Sequence, residues 1–289
     1  MVDVKLSIGT PVVTKTPGAH GAWEESATID DVARVAETAD RLGYHHLTCS
    51  EHIALPATEL DRRGARYWDP LATFGYLAAR TQNIRFATFV LVLAYHHPLE
   101  LAKRYGTLDV VSGGRVILGV GVGTLKAEFD VIGAPYDDRG PRGDDALRAL
   151  RASLSQREPA YHGDFYDFDG MVVDPCAVQE HVPIWVGGRT LRSVRRAATL
   201  ADGWCPFAVT PAQAEEWLRQ TELPPNFEVV LPPTARVDPI REPGRTQDVL
   251  AATAAVGATI VSVGGRHETL GEYLDHIEAL AEVHAAMDA

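Results

Sequence analysis

Cysteine is scarce in this chain. Its 289 residues hold three, Cys49, Cys176 and Cys205, widely spaced and in no CxxC pair. An odd number of scattered thiols offers no disulfide framework, which is typical of a protein kept in a reducing cytoplasm. The first residues show no basic region leading into an apolar stretch. We therefore expect a cytoplasmic protein.

Long apolar runs and blocks of one charge are also missing. No stretch of about 18 apolar residues occurs, so we expect no membrane-spanning helix. Acidic residues outnumber basic ones by 39 to 27, which gives a formal net charge of −12. A nucleic-acid surface needs a basic face, so we expect no nucleic-acid partner. An acidic chain can still carry a local anion site.

Several catalytic signatures are absent too. The chain has no GxSxG elbow and no HExxH metal motif, and no GKS or GKT completes its glycine-rich segment 119–123. The lysines are Lys5, Lys15, Lys103 and Lys126. None lies at the end of a predicted strand, which argues against a Schiff-base aldolase. No metal site is predicted.

Short β-branched apolar runs alternate with helical patterns along the chain. Eight such alternations, with strands apolar on both faces, predict a single-domain (β/α)8 TIM barrel over residues 1–289. An open doubly wound sheet is the alternative, but it more often has about six strands and a GxGxxG turn after the first. The predicted strands are 4–13, 46–51, 84–93, 115–122, 183–187, 203–208, 227–235 and 259–264; the predicted helices are 29–42, 69–81, 98–111, 143–155, 190–201, 211–220, 246–256 and 269–286.

Residues 124–182 interrupt this rhythm. They separate the fourth and fifth predicted strands and show one clear helix. The alternating stretch 161–170 also carries turn residues, which predicts a hairpin. An insertion after a barrel strand would flank the C-terminal mouth, where barrel enzymes place their active sites.

The ends of the predicted strands supply the candidate chemistry. Glu51 and His52 follow the second strand, and an imidazole beside a carboxylate suits proton transfer near neutral pH. A histidine that only braces its loop through Glu51 is an equally weighted alternative. The dipeptide His45–His46 begins the same strand, so we expect it at the opposite, structural end of the barrel.

Two glycine-rich turns follow other strands. The turn 119–123 lets a flat ligand approach the backbone, although a tight structural turn is the favoured explanation when this motif is taken alone. Gly187, Gly188, Arg189 and Thr190 end one strand and open a helix. Amides, helix dipole, guanidinium and hydroxyl meet there, which predicts an anion site. A purely structural turn is the alternative.

Segments 85–123, 183–190 and 201–207 resemble the luciferase-like monooxygenase superfamily, and more narrowly its actinobacterial branch that uses coenzyme F420. The resemblance implies a TIM barrel with a flavin or deazaflavin at its mouth, and His52 beside the reactive face of the ring. It implies a non-proline cis peptide at Phe89–Val90 behind the ring. The implied cofactor cradle consists of Gly121, Val122, Gly123, Thr124, Gly187, Gly188, Arg189 and Thr190.

One difference from the family pattern restricts the range of expected substrates. Some F420-dependent dehydrogenases of the superfamily have a glutamate where Thr124 stands, and the lysines that hold a sugar phosphate have no counterparts here. A phosphorylated sugar is therefore disfavoured.

The function expected is F420-dependent hydride transfer to or from a small organic substrate, with His52 handling the proton and Glu51 setting its tautomer and pKa. A reduced-FMN-dependent monooxygenase is the first alternative. A non-redox phosphate-binding isomerase, or a flavin binder without turnover, comes third because fold alone does not fix function. A homodimer is left open.

Overall fold

The computed structural model describes residues 4–287, which contain eleven strands and ten α-helices. The strands are β1 (Lys5–Ile8), β2 (His46–Cys49), β3 (Arg85–Thr88), β4 (Leu91–Val92), β5 (Val116–Gly121), β6 (Tyr161–His162), β7 (Asp167–Phe168), β8 (Ile184–Gly187), β9 (Gly203–Cys205), β10 (Glu228–Leu231) and β11 (Ile260–Val263). The helices are α1 (Ile29–Arg41), α2 (Leu60–Arg63), α3 (Pro70–Ala78), α4 (Pro98–Ser112), α5 (Lys126–Ile132), α6 (Arg139–Ser153), α7 (Leu191–Leu200), α8 (Pro211–Arg219), α9 (Pro243–Ala255) and α10 (Leu270–Ala285).

Eight of these strands close into a parallel barrel. Their order is β1-β2-β3-β5-β8-β9-β10-β11, and β11 pairs with β1 to complete the ring. The register places Leu47 opposite Phe86 and Leu118 opposite Ile184. A helix follows each barrel strand along the chain. The predicted TIM barrel is confirmed.

Two apolar cores support the barrel. Between the strands and the surrounding helices lies the larger core, to which α1 contributes the stripe Val32, Val35, Ala36 and Ala39. The barrel interior holds a smaller cluster of one residue from each of six strands, and Phe89 and Val90 pack against it. The interior residues are Ala87, Ile117, Trp185, Cys205, Val230 and Ile260.

The third predicted strand is broken in the structure. Strand β3 ends at Thr88, and β4 resumes at Leu91 after a cis peptide between Phe89 and Val90. The predicted cis bond is confirmed. Ala87 lies opposite Ile117 and Leu91 opposite Val120, so the chain has one extra residue across the break, and residues 89–90 form a bulge.

The interval 124–182 contains two helices rather than one. Helix α6 begins at Arg139, and α5 precedes it with seven residues, too short to show a repeating apolar stripe in the sequence. The predicted hairpin is confirmed, because β6 and β7 pair in antiparallel fashion. Every helix within residues 4–287 is too short or too polar to cross a bilayer.

Candidate active site

The C-terminal mouth of the barrel carries a histidine–carboxylate pair. His52 follows β2, and its Nδ1 lies 2.8 Å from Oε2 of Glu128 on α5. The other oxygen of Glu128 accepts the amides of Ile53 and Ala54 at 2.6 and 3.2 Å. The Glu128 side chain is fully buried, whereas 17% of the His52 side chain is exposed. One carboxylate therefore holds both the imidazole and its loop.

The electrostatics favour an ionised Glu128. Burial works against its charge, but the hydrogen bond and charge of His52 and the two backbone amides outweigh burial, so the pKa of Glu128 is lowered. An ionised carboxylate at Nδ1 takes the imidazole N–H there and leaves the lone pair of the neutral ring on Nε2. The ring of Tyr67 meets the imidazole edge-on, with centroids 4.5 Å apart. This arrangement suits proton exchange at Nε2.

Sequence reasoning missed Glu128. Position 124 is where the resemblance placed a family carboxylate, and Thr124 itself is exposed. Glu128 stands about one helical turn further on and, with Phe129, forms the buried face of α5. The sequence contained one signal for Glu128: it is an acidic residue next to an apolar one, shortly after the fourth barrel strand. That signal can be interpreted only when α5 is known to be a helix.

The expected partnership of Glu51 with His52 is wrong. Oε1 of Glu51 lies 2.7 Å from Nε2 of His96, and Oε2 accepts the Val92 amide at 2.8 Å. Glu51 and His52 are adjacent, yet their side chains reach different partners, His96 and Glu128. Glu51 therefore holds the segment after β3, and Glu128 takes the place expected for it beside His52.

Val90 closes the top of the barrel interior. A Cβ on Gly121 would lie 2.9 Å from one Val90 methyl, and a Cβ on Gly187 would lie 2.8 Å from the other. These two glycines therefore make room for Val90, in addition to any ligand. The hydroxyl of Ser50 donates to the Phe89 carbonyl at 2.8 Å and ties the bulge to the end of β2.

The glycine turn after β5 packs closely against its surroundings. Gly123 has φ +76°, and a Cβ there would lie 2.6 Å from the Phe129 ring. Its carbonyl accepts the Arg139 Nε at 3.2 Å. Val122 is half-buried and Thr124 is exposed. One side of this turn is thus packed against Phe129 and Arg139, and Thr124 on it remains accessible.

The segment Gly187–Thr190 opens α7 as predicted. Thr190 is the N-cap, and its hydroxyl accepts the Ser193 amide at 3.3 Å. Gly188 has φ +126°, a conformation that side-chain-bearing residues rarely adopt. Arg189 is exposed and forms no ion pair with any other residue in the described part of the chain, and its guanidinium lies 5.7 Å from the centre of the Phe207 ring. The remaining helix amides and this guanidinium fit an anion.

One cavity lies away from these residues. Its volume is about 550 Å³, and its lining includes Lys15 and Glu25, which form an ion pair with each other. None of the predicted site residues lines it. Within residues 4–287, no three His, Cys, Asp or Glu side chains are grouped so that they would hold a metal ion.

The protein is therefore a (β/α)8 barrel with an imidazole, bound by a buried carboxylate, at the C-terminal ends of its strands. A model of the luciferase-like monooxygenase family matches residues 10–223, well over half of the sequence. The chain belongs to that family, as the resemblance predicts.

Individual proteins are similar to this chain in sequence or in fold. The uncharacterized protein Rv0953c of Mycobacterium tuberculosis is 35% identical over 185 residues, which span 60% of this chain and 66% of that protein, just under two thirds of its length. The solved structure of monooxygenase RslO1 from Streptomyces bottropensis has a TM-score of 0.74 and 21% identity, covering 99% of this chain and 100% of that one.

Two further structures share the fold and differ in cofactor. An F420-dependent secondary alcohol dehydrogenase has a TM-score of 0.62 at 16% identity, covering 97% of this chain and 91% of that one. The oxygenating constituent of 3,6-diketocamphane monooxygenase from Pseudomonas putida, bound to FMN, has a TM-score of 0.69 at 14% identity, covering 96% and 98%. At these identities the likeness concerns the fold alone.

Proposed function

We propose that this protein is a coenzyme F420-dependent oxidoreductase that moves a hydride to or from a small organic molecule. The contact between His52 Nδ1 and the buried Glu128 carries the proposal. Hydride transfer to a carbonyl, or from an alcohol, leaves one proton to be supplied or removed, and imidazole does this well near neutral pH. The resemblance of residues 85–123 to the F420-using branch supports this cofactor.

His52 accepts and donates the proton at Nε2. Because Glu128 holds Nδ1, the neutral ring carries its lone pair on Nε2 and accepts the hydroxyl proton of an alcohol. In the opposite direction Nε2–H returns that proton to the carbonyl oxygen. The ionised Glu128 stabilises the imidazolium that exists between these steps, as the carboxylate of a catalytic triad does.

The residues at the mouth fit a cofactor that bears a phosphate. The free amides of α7 and the exposed Arg189 would hold the phosphate. Gly188 would contribute its backbone, at a position where a Cβ would lie 2.7 Å from the Ser193 side chain. The bulge at Phe89–Val90 would lie behind the ring. When bound, the deazaflavin supplies hydride transfer, while the protein supplies binding, orientation and the proton. The other cradle residues proposed are Gly121, Val122, Gly123, Thr124, Gly187 and Thr190.

A reduced-FMN-dependent monooxygenase is the second candidate. The fold shared with RslO1 and with the FMN-bound oxygenating constituent, over nearly the whole chain, favours it. A flavin has nitrogen where the deazaflavin has carbon, so reduced FMN activates oxygen and reduced F420 does so poorly. The proposed phosphate cradle would serve either cofactor.

A non-redox isomerase finds little support. That chemistry needs a free carboxylate base near the phosphate site. Both oxygens of Glu51 and both of Glu128 are engaged in hydrogen bonds. Neither carboxylate is therefore free to take a proton from a substrate.

Side-by-side cofactor titration tests the proposal. The purified protein is titrated with F420, FMN and FAD, and binding is followed by calorimetry and by cofactor fluorescence. We expect saturable F420 binding, with FMN and FAD weaker by about tenfold or more, a difference of about 1.4 kcal/mol. Tighter binding of FMN would replace the leading proposal with the second, and no binding of any of the three would overturn both.

A further inference from the structure

A second histidine–carboxylate pair joins the end of β2 to the segment that follows the bulge. Glu51 binds the His96 imidazole through one oxygen, at 2.7 Å, and the Val92 amide through the other, at 2.8 Å. The exposed fractions of the His96 and Glu51 side chains are 8% and 9%. The proton chemistry proposed for His52 makes no use of this pair.

His96 lies between two carboxylates. Glu51 faces its Nε2, and an oxygen of Glu100 lies 3.6 Å from its Nδ1. Arg104, one turn further along α4, pairs with Glu100 at 2.9 Å. Burial and Arg104 lower the pKa of His96, but the two carboxylates outweigh them, so that its pKa is raised above 6.5. The fold therefore favours the imidazolium form.

The segment held by this pair forms part of the proposed ring site. Val92 lies opposite Gly121 in the β4–β5 pairing, and its side chain, together with the Phe129 ring, occupies the space where a Cβ on Gly123 would lie. Tyr95 belongs to the same segment, and its pKa is raised by burial and by the nearby charge of Glu128. Moving the segment would therefore disturb both the glycine turn and the surroundings of Glu128.

We propose that the Glu51–His96 pair positions residues 89–95 against the glycine turn, and that cofactor affinity follows the charge on His96. The inference rests on the proposed function, since it presumes that the ring binds at this bulge. A hydrogen bond between an imidazolium and a carboxylate is stronger than one from a neutral ring. His96 acts here as a positioning residue, through the backbone of Val92.

The sign of the pH effect follows from the raised pKa. The contribution of the charged pair is complete below pH 6.5, the ordinary pKa of histidine, and is lost as the pH rises through the higher pKa of folded His96. Cofactor affinity of the wild-type protein should fall over that interval.

Two variants of His96 test the proposal, with affinity for F420 and FMN measured from pH 6 to pH 9. His96→Leu removes the donor, and we expect about tenfold weaker cofactor binding, the usual effect of losing a hydrogen bond to a charged group. His96→Gln keeps a neutral donor, so most of the affinity should return while the pH dependence disappears. Unchanged affinity in His96→Leu, or an unchanged pH profile in His96→Gln, would overturn the proposal.

His46→Gln is the matched control. His46 is a fully buried imidazole at the opposite end of β2. Its replacement should lower thermal stability and leave cofactor affinity unchanged. A similar loss of affinity in this control would show that any buried-histidine replacement weakens binding, and the positioning role would be rejected.

Amide hydrogen exchange separates this proposal from the proposed function. If the wild-type protein binds neither F420 nor FMN, the proposed function and the cofactor half of this inference fail together. The positioning half then depends on exchange at residues 91–95, measured without cofactor. Faster exchange there in His96→Leu, and not in His46→Gln, supports it; unchanged exchange contradicts it.

Discussion

The two histidine–carboxylate pairs at the mouth begin at neighbouring residues and end in different environments. In the first, Glu128 is fully buried and its partner His52 is partly exposed. In the second, Glu51 and His96 are both nearly inaccessible. The first pair therefore presents a nitrogen that a substrate can reach, and the second presents none.

The comparison separates two uses of the same chemistry. A carboxylate that holds an exposed imidazole fixes its tautomer and leaves one nitrogen free for proton transfer. A carboxylate that holds a buried imidazole and a backbone amide joins two segments of chain. Because Glu51 and His52 are adjacent, the sequence alone does not show which of the two exchanges a proton with the substrate. The direction of each side chain in the structure makes that distinction.

The largest predicted effect belongs to His52. His52→Ala should slow turnover of an alcohol or ketone by about 10²- to 10⁴-fold, the usual contribution of a general acid–base group, while cofactor affinity falls much less. Single-turnover rates at saturating cofactor measure this. His96→Gln is the comparison variant and should keep a near-normal rate at saturation. A near-normal rate in His52→Ala would remove it from the chemistry.

Glu128→Gln should have the next largest effect. The amide is nearly isosteric but uncharged, so it no longer fixes the Nδ1–H tautomer or stabilises the imidazolium. We expect turnover to fall by at least about tenfold, less than in His52→Ala. Glu51→Gln should instead weaken cofactor binding and keep the rate at saturation. If both variants behaved alike, the distinction between the pairs would be lost.

The packing of Val90 gives a smaller, structural effect. Gly121→Ala places a Cβ 2.9 Å from a Val90 methyl, and we expect a loss of about 1–3 kcal/mol in the free energy of unfolding, measured in urea. Adding Val90→Ala should recover part of this loss. Gly75→Ala in α3 is the control, because its Cβ meets no neighbouring atom. No recovery in the double variant would contradict the contact.

Arg189 should contribute least. Arg189→Gln removes an exposed charge from the proposed phosphate cradle, so cofactor affinity should fall by about two- to fivefold, and less at high salt. Titration at two ionic strengths checks both points. Arg195→Gln, an exposed arginine further along α7, should change nothing. Equal effects of the two replacements would point to general electrostatics rather than a phosphate contact.

Local patterns in the sequence were sufficient for the barrel and for the main positions at its mouth. The alternation of apolar runs with helical stripes predicts the closed sheet, and Thr190 caps α7 where the motif predicts. Family position predicts the cis bond at Phe89–Val90. The cofactor roles of the glycine turns and of Arg189 stay predictions.

Long-range pairing was beyond the reach of sequence patterns. Glu128 lies far along the chain from His52, on a helix too short for a periodic signal. The space that Gly121 and Gly187 leave for Val90 depends on β5 and β8 meeting the break between β3 and β4. Such contacts arise only when the barrel closes, so no local pattern encodes them.

The tautomer of His52 tests the central claim most directly. Nitrogen-15 NMR of histidine-labelled protein, with the His52 signals assigned by their absence in His52→Ala, distinguishes the two neutral tautomers. We predict the Nδ1–H form in the wild-type protein and loss of that preference in Glu128→Gln. A dominant Nε2–H form in the wild-type protein would contradict it, because His52 would then have no lone pair available at Nε2.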